Sequence, residues 1–169
     1  MTKVIAIAAI GKERELGIHN ELLWRIPDDL KRFRSLTKGH PVIMGRKTYE
    51  SIIEAIGKPL PERTSIIVTR DDTYRDRCPS EGVVCAASIR EALEEAKKAK
   101  GADEIFIGGG AQIYAEALPY TDELILTTIE DTKPADSFFP EYKELFPEVV
   151  SDEIRSHEGL VYHWITRTR

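Results

Sequence analysis

Four short apolar runs constrain this chain more than any other feature. Val4-Ile5-Ala6-Ile7-Ala8-Ala9-Ile10, Pro41-Val42-Ile43-Met44-Gly45, Ser65-Ile66-Ile67-Val68-Thr69 and Glu104-Ile105-Phe106-Ile107 are dense in apolar residues and lack polar alternation. Such runs read as strands buried on both faces, which requires helices on each side of a parallel sheet. Helical segments fall between them. Pro27 opens one, with Asp28 and Asp29 in a first turn where acids suit the helix dipole. Residues 46–55 form a second, and the capping box Ser88-Ile89-Arg90-Glu91 starts a third that runs to about Lys98. Gly108-Gly109-Gly110 leads into a fourth, through Leu118. Further strands are expected at Val83-Val84-Cys85 and over 123–129, and the tail over 149–168 reads as two strands around His157-Glu158-Gly159. The polar stretches 12–20 and 70–80 read as loops, the first long enough to be a lid or binding loop. The fold class is therefore α/β: a single-domain, mostly parallel central sheet of about eight strands, about four flanking helices and a C-terminal antiparallel hairpin.

The 169 residues, with no linker or repeat, fit one domain over 1–169. A net charge of -5 argues against a nucleic-acid partner, since such binders usually carry a basic surplus. It leaves room for a small anionic ligand, which needs only a local cluster of cations. No apolar run approaches a membrane span, and the N-terminus lacks the basic leader and cleavage site of a secretory signal. A soluble cytoplasmic protein is expected, with Cys78 and Cys85 as free thiols. The four histidines are scattered, and no metal site is expected.

Two strand-to-helix turns point to a phosphate-bearing ligand. Gly45-Arg46-Lys47-Thr48 adds two cations and a hydroxyl to the free N–H groups of a helix start. Gly108-Gly109-Gly110-Ala111-Gln112 is a second such joint. Neither is the six-residue dinucleotide fingerprint or the triphosphate loop, and each alone is as well explained by a tight turn. Two in one α/β domain suggest a dinucleotide. Arg70 follows the strand ending at Thr69, where ligands of such sheets collect. Arg46 and Arg70 either bracket an extra phosphate, which would favour NADPH over NADH, or are solvated surface arginines. Asp29 is either a first-turn helix acid or a lone acid in an apolar cleft, able to hold or relay a proton, because Phe33 and Leu36 share its face. Trp24 and Trp164 read as core.

The segments Leu23-Trp24-Arg25-Ile26-Pro27-Asp28-Asp29-Leu30, Gly45-Arg46-Lys47-Thr48-Tyr49-Glu50-Ser51-Ile52, Pro59-Leu60-Pro61-Glu62-Arg63, Ile113-Tyr114, Leu126-Thr127 and Phe139-Pro140 resemble, in order and across nearly the whole chain, the dihydrofolate reductase family of bacterial chromosomal type. The resemblance implies NADPH-dependent reduction of 7,8-dihydrofolate to tetrahydrofolate for one-carbon metabolism, by hydride transfer to C6 and protonation at N5. It makes Asp29 the partner of the pterin's amino group and N3, and the support for a proton that reaches N5 through water. Thr127 would bond Asp29 and the amino group, and Trp24 would help hold the water. Ile7, Leu30, Phe33, Ile52 and Leu60 would line the folate cleft, with Arg63 pairing bidentately with the glutamate α-carboxylate. Ala9 and the loop 16–21, with Leu16, Gly17 and Ile18, would cover the nicotinamide. Arg46, Lys47, Thr48, Thr69 and Arg70 would take the cofactor phosphates and ribose, and Gly109, Gly110, Ala111, Gln112 and Ile113 the pyrophosphate. A cis peptide is implied at Gly109-Gly110, as are antifolate inhibitors, and a stand-alone chain without a fused domain suggests a monomer. Two departures stand out: Leu23 where the family usually has proline, and Gly108 where it usually has a bulky apolar residue, which should leave more room beside the nicotinamide. The rival readings are a pyrimidine reductase of the riboflavin pathway, which should lack the arrangement Trp24, Asp29, Phe33, and a non-catalytic NADPH- or folate-binding module.

Overall fold

The computed structural model describes residues 1–79 and 81–169. In chain order its elements are β1 (Lys3–Ile10), β2 (Glu15–Ile18), β3 (Glu21–Leu22), α1 (Pro27–Thr37), β4 (Val42–Gly45), α2 (Arg46–Ile56), β5 (Ser65–Val68), α3 (Asp72–Asp76) and β6 (Val83–Ala86). There follow α4 (Ile89–Lys97), β7 (Glu104–Ile107), α5 (Ala111–Ala117), a 3-10 turn (Leu118–Tyr120), β8 (Glu123–Ile129), β9 (Ser137–Phe138), β10 (Glu148–His157) and β11 (Leu160–Thr168). The main sheet has eight strands in the order β10-β11-β8-β1-β7-β4-β5-β6. Its pairs are parallel from β8 to β6, and antiparallel where β11 joins β8 and β10 joins β11.

Both faces of this sheet are covered, which is why its strands read as unbroken apolar runs. Val4, Ala6 and Ile10 of β1 pack with Ile43, Ile105 and Ile107 under Leu93 of α4 and Tyr114 of α5. The alternate residues Ile5 and Ile7 pack with Val42, Met44 and Phe106 under Phe33 of α1 and Tyr49 and Ile52 of α2. Each fully buried aliphatic side chain contributes about 1.5–3 kcal/mol to that packing. Helix ends follow local chemistry: Ser88 Oγ accepts from Glu91 N at 3.1 Å to start α4, and Gly57, at φ 76°, closes α2 in the left-handed region.

Three expectations change. The stretch 12–20 is not a plain loop, because β2 pairs with β3 and β9 in a small antiparallel sheet. It is anchored by Glu15, whose carboxylate accepts from Thr132 Oγ1 at 2.5 Å, Glu13 N at 2.7 Å and Lys133 N at 3.0 Å. Burial pushes this carboxyl up, but the hydrogen bonds outweigh it and hold it below the usual carboxylate range. The polar stretch from 70 contains α3, capped by Asp71, which accepts from Thr73 N and Tyr74 N; five residues are too few to show a period. Ser80, where that stretch ends, lies outside the described residues. Finally, Cys78 and Cys85 are not free thiols. The end of α3 brings the chain back beside β6, their Cα atoms lie 5.9 Å apart, and the pair is a disulfide.

A carboxylate held below its ordinary value adds stability above that value and loses it as pH falls through the folded one. Glu15→Gln is therefore expected to lower the urea-unfolding free energy by about 1–3 kcal/mol at neutral pH, with the gap to wild type narrowing as pH falls below about 4. Equal stabilities at neutral pH would show that Glu15 anchors nothing.

Candidate active site

The carboxyl ends of the parallel strands open on one cleft of about 2160 Å³. Ile7, Ala9, Leu16, Gly17, Trp24, Asp29, Leu30, Phe33, Ile52, Leu60, Arg63 and Thr127 line one part of it; Arg46, Lys47, Thr48, Thr69, Arg70 and residues 109–113 line another. Of the residues singled out from sequence, Ile18 alone is not on the lining; His19 and Asn20 beyond it are.

Asp29 lies in the first turn of α1, which Pro27 starts without a side-chain cap. Two donors reach the same oxygen: Thr127 Oγ1 at 2.5 Å and Trp164 Nε1 at 2.9 Å from Oδ1. Both come from the sheet because Trp164 of β11 stands opposite Thr127 of β8 in the strand register. Oδ2 accepts no hydrogen bond among the described residues. Sequence reading put Trp164 in the core; only the pairing of β8 with β11 shows where its N–H goes. The indole N–H of Trp24 donates elsewhere, to Asp131 Oδ2 at 3.0 Å, and that bond holds the Asp131 carboxyl below its usual range. The Trp24 ring, like Ala9 and Trp164, packs against the buried cluster of Ile26, Ile129 and Tyr162.

The walls around Asp29 are apolar: Ile7 is buried, and Phe33, Ile52 and Leu60 pack on the same core, while Leu30 stays 41% exposed. Farther out, Arg63 is fixed by donating to Pro61 O at 2.9 Å and Thr37 Oγ1 at 3.0 Å. It makes no ion pair among the described residues. Burial, then the neighbouring charge of Arg34, press its guanidinium below the ordinary value, so an incoming carboxylate would relieve it.

The two glycine turns meet. Gly45 N donates to Gly109 O at 2.8 Å, and the Gly109–Gly110 peptide is cis, as the resemblance implied. A Cβ on Gly45 would sit 3.2 Å from Ile113 Cγ1, and one on Gly110 would face Thr48 Oγ1 at 3.7 Å. Glycine at position 45 lets the starts of α2 and α5 approach closely, whereas Gly110 has room for a side chain on that face. Arg46 is not a bare cation: it pairs with Glu50 at 2.8 Å and Asp71 at 3.0 Å, stacks 4.3 Å over Tyr74, and is raised above its ordinary value by those acids. Arg70 faces Glu116 at 3.5 Å. Gly108 does not simply add room, because a Cβ there would lie 3.0 Å from Val42 Cγ1, in space the core already uses. At the opposite end of the sheet, His40 gathers with Asp103 and Glu104, a grouping that exposed acids commonly make without an ion.

Glycine-rich turns on one side and an apolar slot with an anchored acid on the other make one cleft of a nucleotide-suited α/β enzyme, and the comparisons place it among the NADP-dependent oxidoreductases. The family model described as dihydrofolate reductase matches residues 3–169. The dihydrofolate reductase of Neisseria gonorrhoeae is 40% identical over 167 residues, covering 98% of this chain and 97% of its own. That of Bacillus subtilis is 38% identical over 149 residues, 87% and 81% of the two chains. The solved structure of the Enterococcus faecalis dihydrofolate reductase, complexed with NADP(H) and RAB-propyl, superposes with a TM-score of 0.85 at 32% identity, covering 99% of this chain and 96% of that one. The chain belongs to the dihydrofolate reductase family.

Val42 is 1% exposed on β4 and has little freedom to yield to a new methyl group at Gly108. Gly108→Ala is expected to destabilise the fold by about 1–3 kcal/mol in urea titrations, and Val42→Ala in the same protein to recover part of the loss. A Gly108→Ala protein as stable as wild type would mean the site relaxes freely.

Proposed function

We propose that residues 1–169 form a single domain that reduces 7,8-dihydrofolate to 5,6,7,8-tetrahydrofolate with NADPH, supplying one-carbon metabolism. The observation that carries this reading is Asp29, fixed through one oxygen by Thr127 and Trp164 at the edge of an apolar slot. A flat pterin between Ile7, Phe33 and Ile52 would offer its amino group and N3–H to the Asp29 carboxylate, with Thr127 sharing the amino group. Asp29 and the dry walls then orient the ring and support a proton that travels through water to N5. Arg63, which makes no ion pair among the described residues and feels only the nearby charge of Glu62 from an acid, suits the glutamate α-carboxylate, which guanidinium geometry pairs bidentately.

The glycine turns fit a dinucleotide: the close approach of Gly45 to Gly109 and the open face of Gly110 leave backbone where side chains would stand. Arg46, Lys47, Thr48, Thr69 and Arg70 would hold the phosphates and ribose, residues 109–113 the pyrophosphate, and Ala9, with Leu16 and Gly17, the nicotinamide. NADPH, when bound, supplies the hydride that C6 receives. On this reading the protein is a cytoplasmic monomer acting on a small substrate and open to antifolates, with no nucleic acid or membrane partner. Among the described residues no helix is long and apolar enough to cross a membrane.

Loss of NADPH absorbance with dihydrofolate as sole acceptor tests the reading, and failure of that assay would favour a pyrimidine reductase or a binding module. Asp29→Asn is expected to cut kcat/KM for dihydrofolate by roughly 100-fold or more at neutral pH. A value near wild type would remove Asp29 from the chemistry. Asp71→Asn keeps a helix-capping side chain but releases Arg46 from one acid. The KM for NADPH is expected to fall about two- to fivefold, with little change for NADH. Equal changes for both nucleotides would place Arg46 away from the extra phosphate.

A further inference from the structure

The structure assigns a role to Trp164: it is a positioning residue that, together with Thr127, fixes the Asp29 carboxylate for the substrate. This rests on the functional reading above and deepens it. An ionised carboxylate accepts only, with two lone-pair directions on each oxygen. Thr127 and Trp164 occupy Oδ1, at 2.5 Å and 2.9 Å, and leave Oδ2 to a ligand's N–H donors. The two donors act as a pair, since they sit across from each other on adjacent strands and point to the same face. Neither brings a charge that could capture the acid.

Two cations stack on the indole, and one of them, Arg32, also feels the charge of Asp29. The guanidinium of Arg155 lies 4.2 Å from the Trp164 ring centroid and that of Arg32 lies 4.5 Å away. Arg155 is further tied to Asp28 at 3.4 Å and Glu153 at 3.6 Å, so it is compensated away from Asp29. Stacking of this kind favours one ring orientation, and that orientation aims the N–H at Oδ1. Trp164 therefore acts on substrate through Asp29, without being catalytic itself.

Trp164→Phe keeps an aromatic ring but removes the N–H together with part of the indole's bulk, and the Asp29→Asn background separates the two because the lost bulk is common to both. Dissociation constants for folate, measured by equilibrium dialysis, should rise roughly tenfold or more in Trp164→Phe relative to wild type, because a hydrogen bond to a charged group is lost. The same change made in Asp29→Asn should shift the folate constant less than about twofold, since coupled residues are non-additive. NADPH affinity should stay unchanged in both backgrounds. An equal loss with and without the Asp29 carboxylate, or no loss at all, overturns the assignment. Should Trp164→Phe fail to fold, the indole N–H resonance of Trp164 decides the question: it should move in Asp29→Asn, and an unmoved signal overturns the proposal. The outcome is separable from the enzyme reading, because NADPH oxidation by the unaltered protein tests that reading alone.

Discussion

The register of β11 on β8 is the constraint on which the chemistry of this molecule depends. Those two strands form an antiparallel pair beside an otherwise parallel sheet, and the pairing sets Trp164 opposite Thr127. A slip of β11 by one residue would turn Trp164 to the other face and leave Asp29 with Thr127 as its one remaining donor from these strands. Several contacts hold the register. Tyr162 and Ile129, paired across the strands, are both buried beneath Ile26. Glu130 N donates to Val161 O at 2.9 Å just beyond the pair. His163, next to Trp164 and so on the opposite face, links Asp152 at 2.8 Å and Glu130 at 3.1 Å; these bonds push its imidazole above the ordinary value. The hairpin turn adds Glu158 and Gly159, both at positive φ.

The other half of the cleft is built differently. Here backbone approaches backbone, through the Gly45 to Gly109 hydrogen bond, and the cations stand at the rim already paired with acids. Arg46 shared between Glu50 and Asp71 is preorganised, but any phosphate must compete with two carboxylates for it. Exposed pairs of this kind are worth little, about 0–1 kcal/mol, so the competition tunes affinity without abolishing it. The two halves are thus held by different means: donors on a strand pair orient one acid, and exposed ion pairs hold the cations at the rim.

What could be read in advance follows from how each element is held. β1, β4, β5 and β7 are legible because both of their faces are buried, and α1 and α4 because proline and a serine cap mark their starts. α3 and the small sheet of β2, β3 and β9 are not, because Asp71 and Glu15 hold them through single side chains and leave no periodic pattern. The disulfide depends on where the end of α3 lies relative to β6, which composition does not fix. In the site, residues carried by ordered motifs fall on the cleft, whereas Trp164 reaches Asp29 only through a long-range strand pairing. Ile18 misses the lining although Leu16 and Gly17 reach it, a distinction set by the local path of β2.

The segment that covers the cleft is tied to the same strand that carries Thr127. Immediately after β8 the chain presents Asp131 to the Trp24 indole, then Thr132 and Lys133 to Glu15, then Asp136 to His19 N at 3.0 Å and Gly17 O at 3.0 Å, before pairing as β9 with β2. On its far side the cover touches α2, where Ser51 Oγ donates to Asn20 O at 3.0 Å. Most of these links end on carboxylates, where a hydrogen bond nets about 1.5–3 kcal/mol, and Leu16 and Trp24 add apolar packing on the core. The segment and the acid are held by separate contacts, since none of these links runs through Asp29, Thr127 or Trp164, whose own bonds come from the paired strands β8 and β11.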